Sequence, residues 1–297
     1  MHVNNFETRR VTVRPLLRSL LQKAVRRGDG QLAETVAYRL AELGDSSWLT
    51  TRTGVIAFEE CWPYATKLLN HPPLVSLRQI ADLTKNKEAA GLGSLAHALA
   101  EGDRSVLDAA PDPVAVKIVA ASITRTEAFF SWASRSCHDA ERASLLHIAR
   151  NYFQQASWPW DKAFASAAAY FACCGHSITI EQAPVITATK SYFPLWVAVD
   201  KHTPSGKFAL RRVASRLSVP SSQLEWASFY LESAACNDIR VGKWWQAEMI
   251  WRLKTVCLDI SEAQTLWETA RDLMRNEVAT SVELLEAVLK APAADFL

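Results

Sequence analysis

The 297-residue chain carries 33 Lys+Arg against 31 Asp+Glu, with 49% hydrophobic residues, 22% charged residues and only 10 glycines. Against an average of ~7% glycine, these values exclude collagen-like, low-complexity and disordered chains, and a formal net charge of +2 does not by itself call for a nucleic-acid partner. No run approaches the ~18 apolar residues of a membrane span and the amino terminus lacks an apolar signal region, so a cytoplasmic protein with no membrane partner is expected.

Helical periodicity dominates from the first residues. Around Arg14–Arg27, steps of 100° place Leu16, Leu17, Leu20, Leu21, Ala24 and Val25 on one arc. Arg14, Arg18, Gln22, Lys23, Arg26 and Arg27 fall on the other. Gly28-Asp29-Gly30 ends this helix, a second runs over 32–43 to Gly44, and Asp45-Ser46-Ser47 offers a cap for a third that stops before Pro63. The same succession of cap, apolar stripe and breaker predicts helices near 74–84, 88–101, 113–122, 124–136, 138–155, 160–174, 204–217, 222–235, 241–258, 261–276 and 279–290. Thr203-Pro204 reads as a cap with proline at the first helical position, and Ser222-Gln223-Leu224-Glu225 as a capping box. Only Ser177-Ile178-Thr179-Ile180 alternates like a strand. The expected fold is all-α: an irregular multi-helix bundle with two packed helical subdomains. Turn formers between Glu101 and Pro113 place the boundary, giving residues 1–110 and 111–297, the latter with a helix-turn-helix-like corner at 204–235.

Residues 19–63 carry a resemblance. Ser19 to Asp29, then Ala33 to Leu40, then Val55-Ile56-Ala57-Phe58-Glu59-Glu60 form a basic helix, a Gly-Asp turn, an Ala-rich helix and a hydrophobic-Ala-x-Glu helix. This stretch resembles the helical region carboxy-terminal to the ATPase core in clamp-loader-related AAA+ proteins, of the replication-associated recombination protein family. The resemblance implies an oligomerising module that works with replication or recombination proteins. The family's ATPase core is missing. A P-loop needs Gly-x-x-x-x-Gly-Lys-Ser/Thr, and the residues that follow Gly206-Lys207 and Gly242-Lys243 are Phe208 and Trp244.

Two basic clusters are the candidate working surfaces. Arg9, Arg10, Arg14, Arg18, Lys23, Arg26 and Arg27 face only Glu7 and Asp29 within the first thirty residues, and such a helix face could follow phosphates. The second cluster comprises Lys201, His202, Lys207, Arg211, Arg212 and Arg216, with Lys207/Arg211 and Arg212/Arg216 each one turn apart. Asp200, His202 and Thr203 form a polar, turn-rich site that reads either as a capped loop or as a His-Asp pair. In the helix-turn-helix-like corner, Glu225, Trp226, Phe229, Tyr230 and Glu232 stand where base-reading Arg, Asn or Gln would be needed.

No nucleophile elbow or zinc-binding helix occurs. Cys173 and Cys174 are adjacent and should point in different directions, so no metal or cofactor is expected, and all six cysteines read as reduced, mostly core thiols. Core packing is likewise the default for the 11 tryptophans, Trp158, Trp160, Trp244, Trp245 and Trp251 among them. These readings converge on a non-catalytic, oligomerising, DNA-associated accessory protein of replication, repair or mobile-element biology. A protein-interaction scaffold without nucleic acid and a helix-turn-helix regulator are the alternatives.

Overall fold

Leu16, Leu17, Leu20, Leu21, Ala24 and Val25, the six residues on the apolar arc of the first helix, are all buried in a computed structural model. The structure describes residues 3–174, 193–236 and 242–291, with side chains from Val13 onward. It is all-α, with 15 helices and no strands among the described residues. The strand-like Ser177–Ile180 lies outside them.

The helices follow in chain order as α1 (Val3–Arg26), α2 (Gly30–Glu42), α3 (Ser46–Glu60), α4 (Pro73–Ala81), α5 (Glu88–Ala100), the single turn α6 (Val106–Ala109) and α7 (Pro113–Thr124). Next come α8 (Thr126–Ser136), α9 (Ala140–Gln155), α10 (Pro159–Cys174), α11 (Pro204–Leu217) and α12 (Ser221–Ser228). The last three are α13 (Lys243–Lys254), α14 (Ile260–Glu277) and α15 (Ala279–Lys290). Short 3-10 turns at Thr66–Asn70 and Leu195–Ala198, and α6 itself, escape the periodicity because each is too short to repeat a pattern.

Some expected caps are rearranged. Thr203 does cap α11, its hydroxyl accepting the Gly206 N–H, with Pro204 in the first turn. The expected box at Ser222–Glu225 does not form: Pro220 is the cap residue of α12 and makes no side-chain bond. A reciprocal box occurs instead at α14, between Asp259 and Glu262. Asp45 stands at the start of α3 without bonding its backbone, because its carboxylate is taken by Arg18. At the corner between α11 and α12, Ser218 adopts the left-handed conformation (φ 55°) that glycine usually supplies. The following helix is not a free recognition element: Leu224, Ala227, Tyr230 and Glu232 are buried, and Trp226 and Phe229 are half-buried.

The expected boundary at residue 110 does not separate the apolar clusters. One cluster joins α1–α4 with residues 193–199, α11, α12, α14 and α15, so the two ends of the chain share a core. The other is built from α5 and α7–α10, with Phe58 near the end of α3, Trp62 just beyond it, and Trp244, Ala247 and Trp251 of α13.

Where the clusters meet, charge is buried. Arg26 donates to both Glu59 and Glu60 and to the Ser233 carbonyl, at 3.1 Å. Lys87, fully buried, pairs with Glu60 at 2.9 Å and lies 4.4 Å over the Trp245 ring. Burial alone would push Glu59 up, but Arg26, then Lys87 and Arg52, hold its carboxyl down at about 2. Burying such charges is tolerable only when each is paired, and removing one partner typically costs about 3–5 kcal/mol. Glu60→Ala would leave the fully buried Lys87 without its ion pair and take one of the two carboxylates from Arg26, so urea unfolding should show a loss in that range. The depressed Glu59 carboxyl also sets an acid limit. Its stabilisation is fully present above its ordinary value of 4.5 and is lost as pH falls toward about 2. Thermal midpoints should therefore drop across that window, and drop less steeply in Glu59→Gln.

Candidate nucleic-acid interface

The amino-terminal basic face turns inward. Arg9 and Arg10 lie on α1, outside the described side chains. Every other member has an internal partner. Arg14 donates to the Leu43 carbonyl. Arg18 grips Asp45 with two bonds of 2.8 Å and lies 4.8 Å from the Trp48 ring. Lys23 pairs with Asp200 at 2.6 Å, Arg26 with Glu59 and Glu60, and Arg27 with Glu232 at 2.7 Å. Lys23 and Arg26 are 2% and 3% exposed. Arg18, Lys23, Arg26 and Arg27 are thus taken up by carboxylates from later in the chain and do not form a free phosphate-binding face.

The second cluster behaves differently. Gly206, Ala209, Leu210, Val213 and Ala214 turn α11 onto the core, leaving Lys207, Phe208, Arg211, Arg212, Ser215 and Arg216 on its solvent face. Arg212 and Arg216 each reach Glu277 at 3.2 Å, with more than half of each side chain exposed. Lys207 and Arg211 have no ion pair among the described residues. Phe208 is 62% exposed, with Arg212 5.7 Å from its ring. Glu277 itself is only 12% exposed, so the two guanidinium groups are the solvent-facing halves of these pairs. The nine rises of ~1.5 Å from Lys207 to Arg216 make a strip about 13 Å long, enough to follow several phosphates of one strand.

The expected polar site forms at the foot of this helix. Asp200 is buried and accepts from the His202 backbone N–H (3.0 Å), His202 Nδ1 (2.9 Å), Ser19 Oγ (3.3 Å) and Lys23 Nζ (2.6 Å). Burial opposes its ionisation, but Lys23 and His202 hold the carboxyl well below its ordinary range. Burial pushes the His202 imidazole down, with Asp200 opposing. The carboxylate can only accept, so the neutral ring keeps its proton on Nδ1, in a side chain 53% exposed. Thr203 is buried and serves the turn, donating to the Asp200 carbonyl at 2.9 Å. Lys201 leaves the second cluster's strip altogether: its Nζ stands 2.9 Å over the Trp226 ring and 4.4 Å from Phe229. Arg252 shares Trp226 at 4.6 Å. Trp226, Phe229 and Arg252 complete this cluster; the first two were read only as part of the helix-turn-helix-like corner, and nothing in the sequence joined them or Arg252 to Lys201.

Among the described residues no group of three or more His, Cys, Asp or Glu is placed to hold a metal. The Cys173 and Cys174 sulfurs, expected to diverge, lie 3.7 Å apart at the end of α10. Cys61 and Cys173 are buried, while Cys257 is exposed. Trp244 and Trp251 are core residues, but Trp158 is 69% exposed. No helix among the described residues is long and apolar enough to cross a membrane. Comparison with protein families, with curated proteins and with solved structures finds no match to this chain.

Gly206 fixes the geometry of the foot. A Cβ there would collide with the backbone of Asp200, which lies against the first turn of α11. Gly206→Ala should therefore displace the Asp200 turn. The expected results are a lower thermal midpoint and a changed His202 titration in proton NMR, with α11 itself still helical.

Proposed function

We propose that the protein is a DNA-associated accessory factor that holds a phosphate backbone on the exposed face of α11. One observation carries this reading: Lys207, Arg211, Arg212 and Arg216 share that face, with Glu277 as the counter-charge among their described partners. Phosphate can approach the exposed guanidinium groups from solvent, and Lys207 and Arg211 have no ion pair among the described residues to be broken first. It cannot recruit Lys23 or Arg26, whose buried pairs would have to be broken at a cost of about 3–5 kcal/mol. Phe208 adds an exposed ring within the strip, suited to stacking on a sugar or an unpaired base. The resemblance of residues 19–63 to the helical region of clamp-loader-related proteins adds self-assembly and a replication or recombination partner to the proposal. The exposed large apolar side chains Tyr38, Val75, Val114, Trp158, Phe208 and Ile250 stand on six separate segments, so the α11 face is the more definite of the two surfaces.

The test is fluorescence anisotropy with labelled duplex and single-stranded DNA across a salt series. Native protein should bind with an affinity that falls steeply with salt. Lys207→Glu combined with Arg211→Glu should weaken binding at every sequence and reduce the log–log salt slope by about two. Unchanged binding in that variant overturns the proposal. Self-association in light scattering with no DNA binding supports the scaffold reading instead.

A further inference from the structure

The buried lysines of this fold are held by oxygen. Lys23 pairs with Asp200 at 2.6 Å, and Lys85 donates to the carbonyls of Ile80, Ala81 and Leu83 at 2.5–3.2 Å. Lys87 lies over the Trp245 ring, yet it too has a carboxylate, Glu60, at 2.9 Å. Lys201 departs from this pattern. It is only partly exposed, its Nζ stands over Trp226 at 2.9 Å and 4.4 Å from Phe229, and no carboxylate comes within ion-pair distance among the described residues.

A second cation shares the same indole. The Arg252 guanidinium lies 4.6 Å from the Trp226 ring and 4.0 Å from Trp251. The two charges are therefore no farther apart than the sum of their distances from the Trp226 centre. The carboxylates around them are engaged elsewhere. Asp200 receives Lys23 and His202. Glu248 accepts the Tyr230 hydroxyl at 2.6 Å and stands 3.7 Å from Arg252 Nε, beyond hydrogen-bond length, which leaves that buried N–H without a bond. The aromatic faces favour a charged Lys201. Burial first, and then the Arg252 charge, oppose it and draw the amine down to about 7, against the pull of Asp200, Glu248 and Glu225. Two like charges partly out of water on one ring are relieved together by a single negative group placed between them.

Such a group can reach them from solvent. Lys201 and Arg252 are both partly exposed, and of their nitrogens only Arg252 Nε is sealed as well as unbonded. The ring faces are covered by the cations themselves, so the outward N–H groups are what a ligand would meet.

We infer that Lys201 and Arg252 form a phosphate site, in which one phosphate group bridges the ammonium and the guanidinium. Charge-assisted bonds of ~2.8 Å on both sides of a phosphate span about 8 Å, enough for the separation that Trp226 allows. Arg252 offers the planar fork that matches phosphate oxygens, and Lys201 a point charge. The site lies at the foot of α11, just before the strip that starts at Lys207. Two sources present the same oxygens: the terminal phosphate of a nucleic-acid strand held along α11, which rests on the reading of that face, and a free phosphate.

Isothermal titration calorimetry of the full chain with inorganic phosphate at low salt tests the site. Native protein should bind phosphate, with affinity reduced at least about tenfold in Lys201→Gln and in Arg252→Gln, the scale of a lost hydrogen bond to a charged group. Lys201→Arg, which keeps the charge over Trp226, should retain binding, and so should Lys207→Glu combined with Arg211→Glu. Circular dichroism and thermal melting establish that each variant is folded, and Arg252→Lys takes the place of Arg252→Gln if the latter is not. No phosphate binding by native protein, or equal binding in folded Lys201→Gln, overturns the inference.

A second arm compares single-stranded oligonucleotides with and without a terminal phosphate by fluorescence anisotropy. A preference for the phosphorylated strand that disappears in Lys201→Gln assigns the site to a strand end. Lys201-dependent binding of inorganic phosphate without that preference assigns it to a free phosphate. If Lys207→Glu combined with Arg211→Glu leaves DNA binding unchanged, the α11 reading fails, whereas the inorganic phosphate titration still decides this site.

Discussion

The fold depends on a buried charge cluster that must be complete to exist. Glu60 is inaccessible to solvent and is held by both Arg26 and Lys87. Glu59 extends the cluster to Arg52, which in turn reaches Asp161 of α10. These groups come from α1, α3, the segment before α5, and α10, so they tie elements of both apolar clusters to one point. Apolar packing is tolerant of small displacements, but a carboxylate and a guanidinium out of water are not. The cluster therefore fixes how the two cores meet, whereas hydrophobic contact alone would leave their relation less defined.

The same principle sorts the positive charge of the chain. Arg18, Lys23 and Arg26 of α1 and the following Arg27 are paired with Asp45, Glu59, Glu60, Asp200 and Glu232, all of which arrive from later segments. Once these pairs are made, α11 is left with cations in excess on a solvent face. A chain with a formal charge of only +2 can thus present a locally basic surface, because neutralisation happens inside. Lys23 joins the two regions physically, since its partner Asp200 is also the residue that orients His202.

The helices were legible because each is long enough to repeat an apolar stripe and is bounded by a turn former. α11 is the clearest case, with Thr203 and Pro204 at its start and its apolar arc buried as the spacing requires. The short turns at Thr66–Asn70 and Leu195–Ala198 were not legible, having no repeat. Of the candidate site, the contiguous part was readable: Asp200, His202 and Thr203 lie in one turn, and their contacts follow from being neighbours. The aromatic half was not, because Trp226 and Arg252 meet Lys201 only after α12 and α13 have packed.

The sequence by itself determined that this is an all-helical protein, where most helices start and stop, and which arc of each is apolar, since these are local properties of side-chain spacing and capping. It could not decide which basic residues would remain in solvent. Charge balance within a thirty-residue window made α1 look like the exposed cationic face, yet its counter-ions lay up to 205 positions away, as between Arg27 and Glu232. Only tertiary structure brings such partners within a few ångströms, and electrostatic pairing is set by that distance and by burial, neither of which is written in the order of residues along the chain. The opening balance of positive and negative charge was thus a real property of the molecule, and its spatial division into a neutralised interior and a basic α11 surface was decided by folding alone.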